Sequence, residues 1–383
     1  MKKIIQIKSC RICESQDLIE VVNLGTQALT GVFPKNETED IISGPLAILW
    51  CRKCNLLQLK HRYPPEEMYG DNYGYRSGLN QSMVNHLAQK ASLLSTMTNL
   101  NERDAVLDIG SNDGTLLSAY KSIGPHRVGI DPTGNKFEHY YDNSIELIPD
   151  FFSHEKVGSR KFKIITSISM FYDLDDPRLF VEEIKRSLQK EGVWHFEQSY
   201  MPSMIRQTSY DTICHEHIEY YSLTPIAALL KEVGLKIIDV KMNAVNGGSF
   251  AVTACHSDSK KSIKCDIIDW LLDREKKSGY CTPWPYREFE RKVFEHRESL
   301  MNLIQKINKQ GKTIHAYGAS TKGNVLLQFC DFSSDEIQYA AEINPDKFGR
   351  VTPGSNIPIV SAEESKAMRP DYYLVLPWHF REG

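Results

Sequence analysis

The stretch Val106-Leu-Asp-Ile-Gly-Ser-Asn-Asp-Gly-Thr-Leu-Leu117 constrains this chain more than any other. Val106 to Ile109 reads as a buried strand, Gly110 to Gly114 as a tight turn, and Thr115 to Lys121 as the start of a helix. A strand, a glycine turn and a helix in that order let backbone approach a ligand and aim helix N–H groups at it. Val128-Gly-Ile-Asp131 follows as a second short strand that ends in a carboxylate. A carboxylate there can accept hydrogen bonds from both hydroxyls of a ribose. An ordinary strand–turn–helix, with glycine needed only for its turn, is the bland alternative; the two strands together favour a nucleoside.

The spacing D-x-G-x-x-x-G is not the G-x-G-x-x-G of dinucleotide enzymes. It fits better the nucleoside pocket of class I methyltransferases, which hold S-adenosylmethionine (SAM). The strand–helix alternation continues through Ile145–Ile148, Lys163–Ser169, a helix over Phe180–Gln189, and Gly192–Glu197. Such alternation implies a mainly parallel sheet. Ligands sit at the carboxyl ends of its strands. Gly110, Asp131, Asp150, the Ser169–Tyr172 segment and Glu197 are therefore expected around one crevice. Val245-Asn-Gly-Gly-Ser-Phe-Ala-Val252 reads as a glycine turn feeding a last strand.

Ahead of this unit stand Cys10-Arg-Ile-Cys13 and Cys51-Arg-Lys-Cys54. Two C-x-x-C knuckles can surround one tetrahedral zinc with four thiolates, leaving no open position for catalysis. The metal then folds a small domain that lacks enough core of its own. A redox C-x-x-C is the competing reading, and the second pair weighs against it. Arg11, Arg52 and Lys53 are expected to favour the thiolates. A Gly/Tyr loop follows, with Tyr69, Tyr73 and Tyr75 at no helical period; it reads either as a packed linker or as a lid that presents phenols.

The densest chemistry lies in Asp211-Thr-Ile-Cys-His-Glu-His-Ile-Glu-Tyr-Tyr-Ser222. Cys214, His215 and His217 could hold a second metal, but H-E-H lacks the H-E-x-x-H helix spacing. A cluster of satisfied buried polar groups is a second reading. Acid–base catalysis is the third and is favoured, because an imidazole beside a carboxylate is tunable toward neutrality. Beyond residue 257 two long charged helices precede Lys312-Thr-Ile-His-Ala-Tyr-Gly-Ala-Ser-Thr-Lys-Gly323, which repeats the strand–glycine loop–helix design. Ser320, Thr321 and Lys322 make that loop phosphate-friendly. It is not a Walker loop.

A net charge of -3 argues against nucleic acid or an anionic membrane as the main partner. No apolar run reaches the length of a membrane span, and no signal-peptide core is present. Nine cysteines, four of them in C-x-x-C pairs, suit a reducing compartment. A cytoplasmic protein, monomeric or weakly dimeric, is expected.

Together these motifs resemble the SAM-dependent C-methyltransferases that act on nucleotide-linked keto-deoxysugars. The likeness runs over essentially the whole chain: the paired C-x-x-C head, Tyr-x-Tyr-Arg-Ser, D-I-G-S-N-D-G, H-E-H-x-x-Y-Y-S-L, N-G-G-S, Y-G-A-S-T-K-G, N-P-x-K-x-G-R and W-H-F-R. The resemblance implies an α/β protein with a zinc-binding domain over 1–72, a class I methyltransferase Rossmann-like domain over 73–256, and a second Rossmann-like domain over 257–383 that helps bind the nucleotide sugar. It implies zinc on Cys10, Cys13, Cys51 and Cys54, and SAM on Asp108, Gly110, Ser111, Asn112, Asp131, Ser169 and Met170. It implies His217 as base, Glu216 as its neighbour, Tyr75 reaching the sugar and His215 as a helper. Tyr73, Ser77, Asn246, Gly247, Tyr317, Ser320, Lys322, Lys347 and Arg350 would contact the substrate.

The implied reaction is methylation of carbon, most simply C3 beside a 4-ketone, through a base-generated enolate. O-methylation of a sugar or small molecule, and a non-catalytic zinc-dependent binding protein, are the alternatives. The chain departs from the family in carrying Cys214 where a tyrosine is usual and Tyr172 where a histidine is usual. The family also continues past W-H-F-R with another strand-like segment, so this chain reads as truncated.

Overall fold

The computed structural model describes residues 4–64, 68 and 76–378. Tyr69, Tyr73, Tyr75 and the residues after Trp378 lie outside the described residues. Seven strands form the central sheet, in the spatial order Leu235–Asn243, Ser249–His256, Leu188–Ser199, Phe162–Ile168, Ala105–Ile109, His126–Ile130 and Ile145–Ile148. The last five are mutually parallel. Helices cover both faces, so these strands are apolar on both sides: Val106, Leu107, Val128, Ile164 and Ile165 are all buried.

The expected strands occur, and one more was not legible. Leu235–Asn243 carries charges at Lys236, Asp239 and Lys241, which interrupt its apolar run. It joins Ser249–His256 through the short turn at Val245–Gly247, and a connection that short forces an antiparallel pair. The last strand is therefore antiparallel to both of its neighbours, inside a mainly parallel sheet. The turn falls at the carboxyl end of Leu235–Asn243, on the side where the parallel strands present their own carboxyl ends.

Strand order reverses between Ala105–Ile109 and Phe162–Ile168. Doubly wound sheets bind ligands at such a switch point. Both strands continue into left-handed backbone, at Gly110 (φ 72°) and Ser169 (φ 56°).

The N-terminal segment builds its own four-stranded antiparallel sheet from Leu18–Ala28, Ser43–Cys51 and Leu57–Leu59, completed by Glu219–Tyr220. The fourth strand thus comes directly after the H-E-H block. Trp50, 1% exposed, anchors this sheet against Tyr286 of the long helix Trp284–Lys309. Residues 314–375 supply a second small parallel sheet, ordered Ile359–Ser361, Tyr339–Glu342, Ile314–Tyr317 and Tyr372–Val375.

Helix Cys265–Lys277 lies against the central sheet, with Ile268 and Leu271 in the same core as Leu229 and Leu235. Its Glu275 is 3% exposed and caps a different helix. Oε1 accepts from the Tyr200 hydroxyl (2.8 Å) and Leu223 N (2.6 Å), and Oε2 accepts from Thr224 N (2.9 Å) and Thr224 Oγ1 (2.6 Å). These are the orphan donors at the start of helix Leu223–Val233, whose own N-cap, Ser222, makes no side-chain cap. Among the described residues no helix is long and apolar enough to cross a membrane.

Candidate active site

The glycine loop opens a cleft at the switch point. Asp108, Gly110, Ser111, Asn112, Asp131, Ser169 and Met170 all line it, as does Ser77. Phe151, Phe152, Leu174 and Phe180 supply an apolar wall. The sequence reading missed this wall. It singled out Asp150, which instead pairs with Lys156 at 2.6 Å and lies outside the cleft lining. The neighbouring phenylalanines were a visible signal, because an aromatic pair directly after a strand end offers a flat ring a stacking surface.

Each polar group in the loop has a local task. Asp131 accepts from Asn112 N (2.8 Å) and, through its other oxygen, from Thr133 N (2.7 Å) and Thr133 Oγ1 (2.6 Å). That pins the two strand ends to each other and fixes the carboxylate's direction. Asp108 is buried at the base of the cleft; burial pushes its carboxyl up to about 7, against the Thr166 hydroxyl that bonds it at 2.6 Å. Gly110 needs to be glycine twice over. Its φ is positive, and a Cβ there would meet Met170 at 3.0 Å. A bare backbone, two buried carboxylates and an aromatic wall match a ligand with an adenine, a ribose and a cationic amino-acid tail, so the cleft fits SAM.

The four head cysteines converge as their spacing suggests, with ligand atoms all within 4.8 Å of one another. Cys10 and Cys54 are 3.5 Å apart, as are Cys13 and Cys51. The two knuckles are built alike. Cys10 O accepts from Glu14 N and Cys51 O from Asn55 N, and Glu14 and Asn55 both take positive φ. The hydrogen bond from Cys54 holds the Cys10 thiol well below its usual range. Four sulfurs at this spacing fit one tetrahedral zinc. Arg11 does not serve the thiolates as expected. It donates to Leu59 O (2.8 Å) and Gln58 Oε1, and lies 3.7 Å from Glu219. The head is thereby tied to the strand that follows H-E-H.

The three residues of H-E-H face three ways. His215 is 1% exposed and packs edge-on against Tyr63 of the head, at 4.6 Å. Burial holds it down to about 3, with the Gly44 backbone acting weakly in the opposite sense. Glu216 turns to the head segment, where Thr30 Oγ1 donates to it at 3.3 Å, and burial raises its carboxyl. A Cβ on Gly31 would sit 2.1 Å from Glu216 Oε1, so glycine is what makes room for this carboxylate. His217 is half-buried, bonded through Nδ1 to Thr212 O (3.0 Å) and edge-on to Tyr172 at 4.5 Å. A carbonyl only accepts, so Nδ1 carries the hydrogen and Nε2 keeps a lone pair. Burial first, then the Lys322 charge, hold His217 down to about 3, so it is neutral near pH 7.

The C-terminal loop reaches the same place. Lys322 Nζ donates to Asn246 O at 3.3 Å. Asn324 donates to Thr30 O, and Thr321 Oγ1 lies 3.6 Å from a Gly31 Cβ position. Head, central unit and C-terminal unit therefore meet around Glu216. Lys322 and Asp211 line one further cleft, whose far wall carries Lys292 and His296 of the long helix. The sequence reading passed over those two because nothing local distinguishes them from other helix charges.

The other expected substrate residues each have a local partner. Ser320 Oγ caps its own helix by accepting from Gly323 N (3.0 Å). Lys347 donates to Ala319 O and lies over the Phe33 ring, while Arg350 donates to Phe33 O. Both cations fasten the head to the C-terminal unit. Tyr317 is exposed beside Tyr373, and Gly247 packs under Trp378, whose indole donates to Asp211 (2.9 Å).

The chain matches three family models: a zinc binding domain over residues 10–69, a methyltransferase domain over 81–240 and a C-methyltransferase C-terminal domain over 244–383. It is 30% identical to the C-methyltransferase NovU of Streptomyces niveus, across 98% of this chain and 90% of that protein. Solved structures are similar over about half of the chain. The 1,6-didemethyltoxoflavin-N1-methyltransferase of Burkholderia thailandensis, with S-adenosylhomocysteine bound, is 12% identical over 47% of this chain and 83% of its own, with a TM-score of 0.37. A protein of Pyrococcus horikoshii is 13% identical over 48% and 94%, with a TM-score of 0.39.

Proposed function

This chain belongs to the C-methyltransferase family, as a SAM-dependent enzyme with a zinc-binding head, and we propose that its substrate is a nucleotide-diphosphate keto-deoxyhexose, methylated on carbon. C3 beside a 4-ketone is the site we assign. The three domains we assign are 1–72, 73–256 and 257–383.

One observation carries the reading. His217 has its Nδ1–H committed to Thr212 O, which leaves Nε2 as a proton acceptor one residue along from Glu216, around which the three units meet. A C–H beside a ketone is acidic enough for a positioned imidazole to remove, because the carbonyl takes the charge. Methylation of a sugar oxygen would not need that carbonyl.

In this mechanism Asp108, Gly110, Ser111, Asn112, Asp131, Ser169 and Met170 hold SAM, which supplies an electrophilic methyl group. His217 takes the proton at Nε2. Glu216, steadied by Thr30, fixes the turn that presents His217, and His215 wedges the same turn against Tyr63. Tyr75, Tyr73, Ser77, Asn246, Gly247, Tyr317, Ser320 and Lys322 contact the nucleotide sugar; Lys347 and Arg350 assist by closing the head onto the C-terminal unit. Positioning supplies most of the rate. Cys10, Cys13, Cys51 and Cys54 hold the zinc, whose role is to keep the head folded.

The test is deuterium uptake at the carbons flanking the ketone of a thymidine-diphosphate 4-keto-deoxyhexose, followed by NMR of the methylated product. Exchange without SAM and a new C-methyl signal are expected. An O-methyl signal, or no exchange and no product across several keto-sugars, would overturn the assignment.

A further inference from the structure

Lys322 has an unusual address. It belongs to the C-terminal unit, at the second position of helix Thr321–Phe329, yet its ammonium crosses to the methyltransferase unit. The hydrogen bond it makes there is a long one, 3.3 Å, to the carbonyl of Asn246. Asn246 itself is held in left-handed backbone, φ 55°, which turns that carbonyl toward the lysine. Among the described residues no carboxylate lies within ion-pair distance of Nζ. Asp211, in the same cleft, is engaged by the Trp378 indole at 2.9 Å. Asp211 and Lys322 line one cleft, and Thr212, the next residue, carries the carbonyl that orients His217. Helix Thr321–Phe329, which carries Lys322, packs on Tyr210–Thr212, the turn whose last carbonyl orients His217, so the ammonium and the base flank the same turn.

A cation held by one weak neutral acceptor, next to a proton acceptor, has a specific use. We propose that Lys322 is the group that stabilises the enolate: its ammonium faces the keto oxygen of the substrate while His217 Nε2 takes the proton from the adjacent carbon. The inference rests on the keto-sugar reading above. As the C–H bond breaks, its electron pair forms the C=C bond and the carbonyl π pair moves to oxygen. The proton is then on His217 and the negative charge lies opposite Lys322. When the C–C bond to the methyl group forms, the carbonyl is restored and the sulfonium leaves as a neutral thioether. Lys322 keeps its own proton throughout.

The arrangement also times the proton transfer. A second positive charge on His217, near an ammonium with no counter-ion among the described residues, is costly. It becomes acceptable once the oxyanion lies between them. Proton removal and oxyanion formation are therefore coupled by one lysine. A preorganised charge of this kind in a low-dielectric site contributes about 10²–10³-fold to rate.

Lys322→Met and Lys322→Gln separate this role from two others. Glutamine keeps a donor for Asn246 O and loses only the charge. Both variants are expected to bind S-adenosylhomocysteine and thymidine diphosphate within about twofold of wild type, and to lose about 10²–10³-fold in deuterium exchange and in kcat. Rescue of exchange by glutamine would reduce Lys322 to a structural tie. Lost thymidine diphosphate affinity with exchange intact would make it a phosphate clamp. Either result overturns the proposal. Wild-type enzyme that exchanges no keto-sugar would overturn the substrate reading along with it, whereas normal exchange in both wild type and Lys322→Gln would overturn the lysine role alone.

Discussion

Glu275→Gln tests the packing logic of the molecule at one atom. Both carboxylate oxygens of Glu275 accept two hydrogen bonds, and all four donors belong to Tyr200 and the first residues of helix Leu223–Val233. An amide is almost the same shape but replaces one acceptor with a donor. Either way the amide is turned, its NH2 faces a backbone N–H, of Leu223 or of Thr224. One charge-assisted bond is lost, worth about 1.5–3 kcal/mol, and one buried N–H is left without an acceptor, costing about 1–3 kcal/mol. Helix Leu223–Val233 also loses the anion at its positive end, a smaller effect of the same sign. The sum is roughly 3–5 kcal/mol, or on the order of 10 °C in Tm for a domain of this size. Scanning calorimetry of the two proteins, side by side at one pH, measures it. A drop below about 2 °C would show that water or a shifted backbone replaces the carboxylate, and would refute the trans-capping argument.

His217→Ala is expected to abolish turnover while S-adenosylhomocysteine binding by calorimetry is unchanged; full activity removes His217 as the base. Gly31→Ala has an ordinary backbone to sit on, so its effect is steric: the new methyl displaces Glu216, kcat falls at least about tenfold, and the stability loss stays near 1–3 kcal/mol. Asp108, lifted to about 7 by burial, holds its proton in the fold over a range where the unfolded chain, with a carboxyl near 3.9, has released it. Its contribution therefore erodes stability as pH rises from about 4 to 7. The Tm advantage of Asp108→Asn over wild type should grow across that window, and a difference that is flat with pH would contradict the burial of an acid there. Removing zinc with a chelator should release one metal ion per chain and lower Tm before any activity is assayed. An unchanged melting curve would mean that the four sulfurs hold nothing structural.

Much of this architecture is legible in the sequence. The strand at Val106, its glycine loop, Asp131 and both C-x-x-C pairs are local signals, each set by residues close together in sequence. What stayed hidden depends on distant partners. The head sheet needed Glu219–Tyr220, about 160 residues beyond its other strands, and nothing in a two-residue strand announces its neighbour. Leu235–Asn243 was obscured because it is an edge strand whose charges are settled by neighbours outside it: Lys241 faces solvent, Lys236 donates to Ser259 O, and buried Asp239 pairs with Lys264 at 2.7 Å. Lys347 and Arg350 looked like anion binders by residue type. In the fold their donors are taken up by backbone carbonyls, which a sequence cannot display. Glu275 gave no sign of being a cap, since the helix it caps begins more than 40 residues earlier.

The strand shared between head and methyltransferase unit bears on how the chain assembles as it is made. Leu57–Leu59 emerges early, with its outer edge waiting for residues 219 and 220. Until they arrive the head exposes an unpaired β-edge, of the kind that recruits other chains. The knuckle cysteines can capture metal at once, yet the sheet beside them closes only after most of the methyltransferase unit has been translated. A head expressed alone, ending near residue 72, should fold around its metal and still be prone to self-association, an outcome that the full-length chain avoids by supplying its own last strand.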